Sequence, residues 1–318
     1  MQESCQFEKS RENGEILQFL RKVFHILFQN ETFCRKKTLR KIPRLIFQKN
    51  FYLCAMQTRE IFQKDLELIR EKAPLIHNIT NFVVMNNTAN ALLAIGASPV
   101  MAHAIEEVAD MVKIASALVI NMGTLEHDWV QSMIVAGKAA NAKGIPVVFD
   151  PVGVGATPYR SQAAAEILQH VKPTIIRANA SEIMSLARVN VQTKGVDSSN
   201  SADDAITSAK ILAKETGAIV VVSGAVDVIT DGEYVKRVLN GHPLMGRVTG
   251  MGCTATAILA AFAAVEKNAF DAAYFGMTAM GIAGEIAGLT AKGNGTMQLY
   301  FLDALCNLSE NAATFFRN

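Results

Sequence analysis

The chain has 318 residues, is 50% hydrophobic and 19% charged, and carries a formal net charge of +2. That composition excludes a disordered chain and supports a large buried core. The charge is uneven: residues 1–55 hold 11 Lys/Arg against 5 Asp/Glu, so the remainder is mildly acidic and lacks a nucleic-acid footprint.

Residues 1–55 mix basic clusters such as Arg35-Lys36-Lys37 with isolated apolar residues and show no sustained amphipathic period. The run Val23 to Phe28 is too short for a span and sits too far in for a signal peptide. A targeting extension and a membrane-surface helix are open readings. The favoured expectation is an appendage ahead of a single working domain, residues 56–318, whose first helix opens at Met56 and continues through Ile61 to Ile69. Helix is expected again over Phe82 to Ala94. Strands are expected at Leu118–Asn121, Pro146–Asp150, Thr174–Arg177 and Ala218–Ser223. Helices are expected between them, at Asp128–Asn141, Ser161–His170, Ala180–Ala187 and Ala202–Thr216. This alternation predicts an α/β fold with a mainly parallel central sheet and helices on both faces. Val226–Thr230 and Tyr234–Val238 around Asp231-Gly232 read as an edge hairpin. The tail is helical at Cys253–Val265, Phe270–Leu289 and near Leu299–Phe316. The five cysteines form no C-x-x-C pair, and their odd number and irregular spacing favour a reducing compartment. No apolar run of about 20 residues suggests a membrane span.

In an open α/β sheet, ligands bind beyond the carboxyl ends of the strands. Four motifs fall there: Asn121-Met122-Gly123-Thr124, Asp150-Pro151-Val152-Gly153-Val154-Gly155-Ala156, Arg177-Ala178-Asn179-Ala180-Ser181-Glu182, and Ser223-Gly224. The turn Val248-Thr249-Gly250-Met251-Gly252-Cys253 completes the set. Its glycines open a helix, where free amides and the dipole suit a phosphate. Cys253 at that helix start is expected to favour its thiolate and to act as base or nucleophile; buried filler is the competing reading. Asp150 is a magnesium candidate or a turn-starting Asp. Asn179 and Glu182 could join the same ion through water, or form a capping box, and both readings can hold. Arg177 is a phosphate fork or one half of a surface ion pair. Ser223 is a phosphate donor or a turn cap. His77-Asn78-Ile79-Thr80-Asn81 reads by default as helix capping. Met101 packs against a ligand ring or is a core methionine.

With these motifs in order, the chain resembles the hydroxyethylthiazole kinases. The matching stretches are Asn78–Asn81, Gly96–Met101, Glu107–Met111, Asn121–Leu125, Asp150–Thr157, Lys194–Asp197 and Val248–Cys253. They run from about residue 60 to the C-terminus. The resemblance implies a ribokinase-like fold, transfer of the ATP γ-phosphoryl group to the alcohol of 4-methyl-5-(2-hydroxyethyl)thiazole, Mg²⁺ dependence, and a homotrimer with active sites at subunit interfaces. It implies thiazole contacts at Met101 and Gly250, and ATP contacts at Arg177, Ser223, Asn179 and Gly252. It also implies a metal site at Asp150 and Glu182, with Cys253 standing where related kinases place an aspartate base. A cytoplasmic location is the expectation that goes with the reducing compartment. A cofactor-repair dehydratase, a pyridoxal or pyrimidine kinase, and a non-catalytic nucleotide sensor are the alternatives. Cys253 weighs against the first, the Asn-Ile-Thr-Asn and Ser-Pro-Val-Met pair against the second, and the intact Asp150, Glu182 and Cys253 against the third.

Overall fold

The computed structural model describes residues 44–190, 202–308 and 315. The chain divides into two compact units, Met1–Gln57 and Thr58–Asn318, and the second holds the sheet. Residues 1–43, the Lys194-Gly195-Val196-Asp197 motif and most of the tail beyond Leu308 lie outside the described residues. Helix α1 spans Arg44–Lys72, so it does not open at Met56. No Gly or Pro stands between Arg44 and Lys72, and nothing in that stretch restarts a helix. From Thr58 onward it buries Phe62, Leu66 and Ile69, the i, i+4, i+7 stripe of one face.

The strands are β1 (Leu75–Ile79), β2 (Ser98–Val100), β3 (Ala117–Asn121), β4 (Val147–Asp150), β5 (Ile175–Asn179), β6 (Ile219–Ser223), β7 (Asp227–Thr230) and β8 (Val235–Val238). Among the described residues they form one sheet in the order β2-β1-β3-β4-β5-β6-β7-β8. Pairing is parallel from β2 to β6 and antiparallel at β7 and β8. The edge hairpin is β7–β8, and Asp231 Oδ1 closes its turn by accepting from Glu233 N at 2.9 Å and Tyr234 N at 2.7 Å.

The alternation of side chains explains the three layers. Ala117 and Val119 of β3, Val148 of β4 and Val221 of β6 join one core. That core also holds α1, α2 (Met85–Ile95), α8 (Met251–Ala263), α9 (Ala269–Gly288) and α10 (Asn294–Cys306). Leu118 and Ile120, Val147 and Phe149, and Val220 and Val222 face the other core. There they meet α3 (Val108–Ile114), α4 (His127–Lys143), α5 (Pro158–His170), α6 (Ala180–Asn190) and α7 (Ala202–Thr216).

Two strands escaped the sequence pattern. β1 carries His77 and Asn78 at its centre, yet both are fully buried. His77 Nε2 donates to Ala102 O at 2.7 Å and Asn78 Nδ2 to Ile76 O at 2.8 Å, which offsets the cost of burying polar groups. Burial also holds the His77 imidazole below its usual pKa. β2 contains Pro99, which an edge strand tolerates. The capping role expected of His77 to Asn81 is not realised: α2 begins later, behind Val84, with no side-chain cap.

Asp65 on α1 is 3% exposed, and its Oδ2 has no hydrogen-bond partner. Burial first, and then Glu266, raises its pKa to about 7; Lys64 opposes and Asp271 adds to the rise. The folded state therefore holds this proton more tightly than the unfolded chain does. Its contribution to stability is present below the unfolded pKa of 3.8 and is lost as pH climbs through about 7. Asp65→Asn is expected to raise Tm at pH 8 by several degrees and to leave it nearly unchanged at pH 4. Calorimetric melts at the two pH values check this.

Candidate active site

Asn121, Asp150, Asn179 and Ser223 are the last residues of β3, β4, β5 and β6. Asn121 lies opposite Asp150 in register, and Asn179 opposite Ser223. The sheet thus brings the predicted polar residues to one end, each on a neighbouring strand.

Asp150 is fully buried. Its Oδ2 accepts from Asn121 Nδ2 and from Thr256 Oγ1, each at 2.8 Å, and lies 3.6 Å from Arg177 NH1. Its Oδ1 is buried with no partner. Burial lifts its pKa to about 6 against the opposing pull of Arg177 and the two hydrogen bonds. An unpartnered carboxylate oxygen is a hard, anionic donor. Among the described residues, no group of three or more His, Cys, Asp and Glu is placed to hold a metal. The fit to magnesium rests on the unpartnered Asp150 oxygen alone, since that ion takes one or two carboxylates and fills its shell with water and phosphate oxygens. Arg177 is no surface ion pair. It binds Ser223 Oγ as well as Asp150, and its Nε is buried without a partner.

Gly250 caps α8 at φ +80°, a left-handed conformation that glycine adopts without strain. The first helical bond runs from Thr254 N to Gly250 O at 2.8 Å, so the amides of Met251, Gly252 and Cys253 lie ahead of it. A Cβ on Gly252 would come within 2.6 Å of Arg177 NH1, so the glycine lets the helix start and the guanidinium approach each other. Cys253 corrects the expectation of a thiolate. Burial first, and the Asp150 charge second, push its thiol up to about 11, overcoming hydrogen bonds from Asn121 and Asn81 and the charge of Arg177. The helix start does not prevail, because burial disfavours the thiolate first and the neighbouring carboxylate adds to it. Asn81 Nδ2 donates to Cys253 Sγ at 3.5 Å and to Asn121 Oδ1 at 2.8 Å.

Glu182 realises the capping box: its amide donates to Asn179 Oδ1 at 2.9 Å, and Asn179 N donates to Glu182 Oε2 at 3.0 Å. Gly153 N donates to Glu182 Oε1 at 2.8 Å, which ties the loop after β4 to α6.

The profile of the hydroxyethylthiazole kinase family matches residues 66–311. The hydroxyethylthiazole kinase of Nitratidesulfovibrio vulgaris (strain DP4) is 54% identical over 245 residues, covering 77% of this chain and 92% of that one. The chain belongs to the hydroxyethylthiazole kinase family. A solved hydroxyethylthiazole kinase from Pyrococcus horikoshii OT3 superposes with a TM-score of 0.75 at 41% identity, covering 81% of this chain and 98% of that one. A ribokinase-like superfamily protein from Enterococcus faecalis V583 shares the fold, with a TM-score of 0.54 at 15% identity, covering 75% and 87% of the two chains.

Asn81, Thr256 and Arg160 join the site although sequence reasoning gave them no catalytic part. Asn81 and Thr256 read as a cap and as part of a helix. Only folding sets them beside Cys253 and Asp150. Met101 stands half-buried just past β2, at the far edge of the sheet from β6, and no hydrogen bond ties it to the Cys253 cluster. Gly250 is nearer: a Cβ there would meet Val84 Cγ1 at 2.6 Å, just beyond Asn81.

Two outcomes follow for the kinase site. Gly252→Ala should drive the Arg177 guanidinium away and lower kcat/KM for ATP by about tenfold or more, read by steady-state kinetics beside an unchanged melting profile. Alkylation of Cys253 by iodoacetamide, followed by peptide mass spectrometry, should be slow at pH 7 and accelerate as pH rises toward 11. A fast, pH-independent reaction would contradict the neutral thiol.

Proposed function

We propose that this chain transfers the γ-phosphoryl group of ATP to the primary alcohol of 4-methyl-5-(2-hydroxyethyl)thiazole, in the salvage branch of thiamine biosynthesis. It does so with Mg²⁺, in the cytoplasm, as a homotrimer whose active sites lie between subunits. The single observation carrying this reading is the orphaned Asp150 oxygen beneath the Gly250–Cys253 helix start, within a chain of this family.

Phosphoryl transfer needs positioning and charge neutralisation more than covalent chemistry. Arg177 and Ser223 hold phosphate oxygens, and the unpaired Arg177 Nε is a donor free for that task. The amides at Gly252 and Cys253 meet charge developing on the transferring group. Asn179 presents its polar edge to the nucleotide from the rim at the end of β5. Asp150 and Glu182 would hold Mg²⁺, which when bound neutralises phosphate charge. Cys253, kept as a thiol, orients the alcohol; Asn81 fixes the sulfur. The alcohol gives up its proton late, once bonding to phosphorus has made its oxygen acidic, and the proton passes to an oxygen of the transferred phosphoryl group, so no preformed thiolate is required. Gly250 and Met101 bound the thiazole ring.

The interface reading is supported by the surface beside the thiol. Phe82 and Val83, adjacent to Asn81, are 58% and 64% exposed, and Ile105, just after Met101, is 46% exposed. Apolar side chains clustered at a site mouth suit burial by a second copy.

Labelled ATP and the thiazole alcohol should give the thiazole phosphate; no product would overturn the assignment. Cys253→Ala should lower kcat about a hundredfold with ATP KM little changed, whereas Cys253→Asp should keep turnover. Undiminished Cys253→Ala turnover would remove Cys253 from the mechanism. Mixing the impaired Met101→Asp and Cys253→Ala subunits after mild dissociation should raise activity above that of either variant alone. Failure to complement would place both residues in one subunit's site.

A further inference from the structure

Arg160 is the third residue of α5, behind a cap in which its own amide donates to Thr157 Oγ1 at 3.2 Å. Its guanidinium makes three hydrogen bonds, all to backbone carbonyls. NH1 donates to Met122 O at 2.6 Å and Val152 O at 2.7 Å, and NH2 donates to Gly123 O at 2.5 Å. Two of these carbonyls belong to the loop leaving β3 and one to the loop leaving β4. Among the described residues, no carboxylate forms an ion pair with it. A cation placed on carbonyls alone, between two active-site loops, asks for a purpose.

The geometry supplies one. The Val152 carbonyl and the Gly153 N–H are two ends of one peptide group, and that N–H donates to Glu182 Oε1 at 2.8 Å. A cation therefore grips the oxygen end and a carboxylate the N–H end. Charge at each end polarises the amide and strengthens both bonds. Gly153 has φ +73°, and a Cβ there would meet Arg160 Cδ at 3.2 Å, so glycine both permits the turn and clears space for the guanidinium. On its other side Arg160 holds the loop whose Gly123 N donates to Asn121 Oδ1 at 3.0 Å. Asn121 in turn holds Asp150.

We propose that Arg160 is a positioning residue of the active site. It orients the Glu182 carboxylate through the Val152–Gly153 peptide and locks the β3 loop to the β4 loop, so that Asp150 and Glu182 keep one spacing. This rests on the proposed role of Glu182 toward Mg²⁺ and ATP. Lysine would keep the charge but not the planar fork that reaches three carbonyls.

The test compares Arg160→Met and Arg160→Lys with the wild type, each checked for folding by its melt. Calorimetry measures binding of ATP in Mg²⁺ and of ATP in EDTA, without thiazole. Both variants should weaken ATP binding in Mg²⁺ by about tenfold, the scale of a lost outer-shell partner, with a much smaller change in EDTA. Arg160→Met combined with Glu182→Gln should bind no more weakly in Mg²⁺ than Glu182→Gln alone, because the two residues act through one peptide. Should Arg160→Met fail to fold, Arg160→Lys is carried through the same double-variant comparison. Unchanged binding in a folded variant, an equal loss in EDTA, or additive losses would overturn the proposal. A wild type that binds ATP but does not phosphorylate the thiazole alcohol would count against the functional reading instead.

Discussion

The site depends on a carboxylate shut away from bulk solvent. Asp150 ends an apolar strand and is enclosed on all sides, so its charge must be met by fixed groups. Asn121, Thr256 and Arg177 meet it, and each comes from a different element: β3, α8 and β5. One oxygen is satisfied and one is left bare. The satisfied oxygen anchors the side chain in one orientation.

The same charge governs its neighbours. It adds to burial in keeping the Cys253 thiol protonated. It shares Arg177 with Ser223, which aims the guanidinium across the start of α8. Glu182 is near enough to push the Asp150 pKa upward.

Glycines set how closely these parts approach. Gly250 turns the chain into α8 in a left-handed conformation, and Gly252 leaves room for Arg177. Gly153 does the same under Arg160. At Gly252 a methyl group would displace the Arg177 guanidinium, and at Gly153 it would crowd Arg160, so the requirement at these two comes from tertiary packing and not from the turn alone.

The alternating apolar runs at β3 to β6, the amphipathic helices between them and the Asp-Gly hairpin made the layered sheet legible in the sequence, because periodicity follows from which face each side chain must bury. The order of motifs at the strand ends made the site and the family legible too. β1 and β2 were not, since buried His77 and Asn78 and edge-strand Pro99 break the pattern that periodicity reads; their hydrogen bonds exist only in the folded chain. Nor was the start of α1, where no breaker marks the boundary. Asp150, Arg177, Glu182, Ser223 and Cys253 were named from sequence alone. Their chemistry was decided by the tertiary structure: burial and a neighbouring charge keep Cys253 a thiol, and only folding brings Asn81, Thr256 and Arg160 to the groups they hold. Residue type sets what a side chain can do, whereas its pKa and its partners depend on distances across strands that lie far apart in the chain.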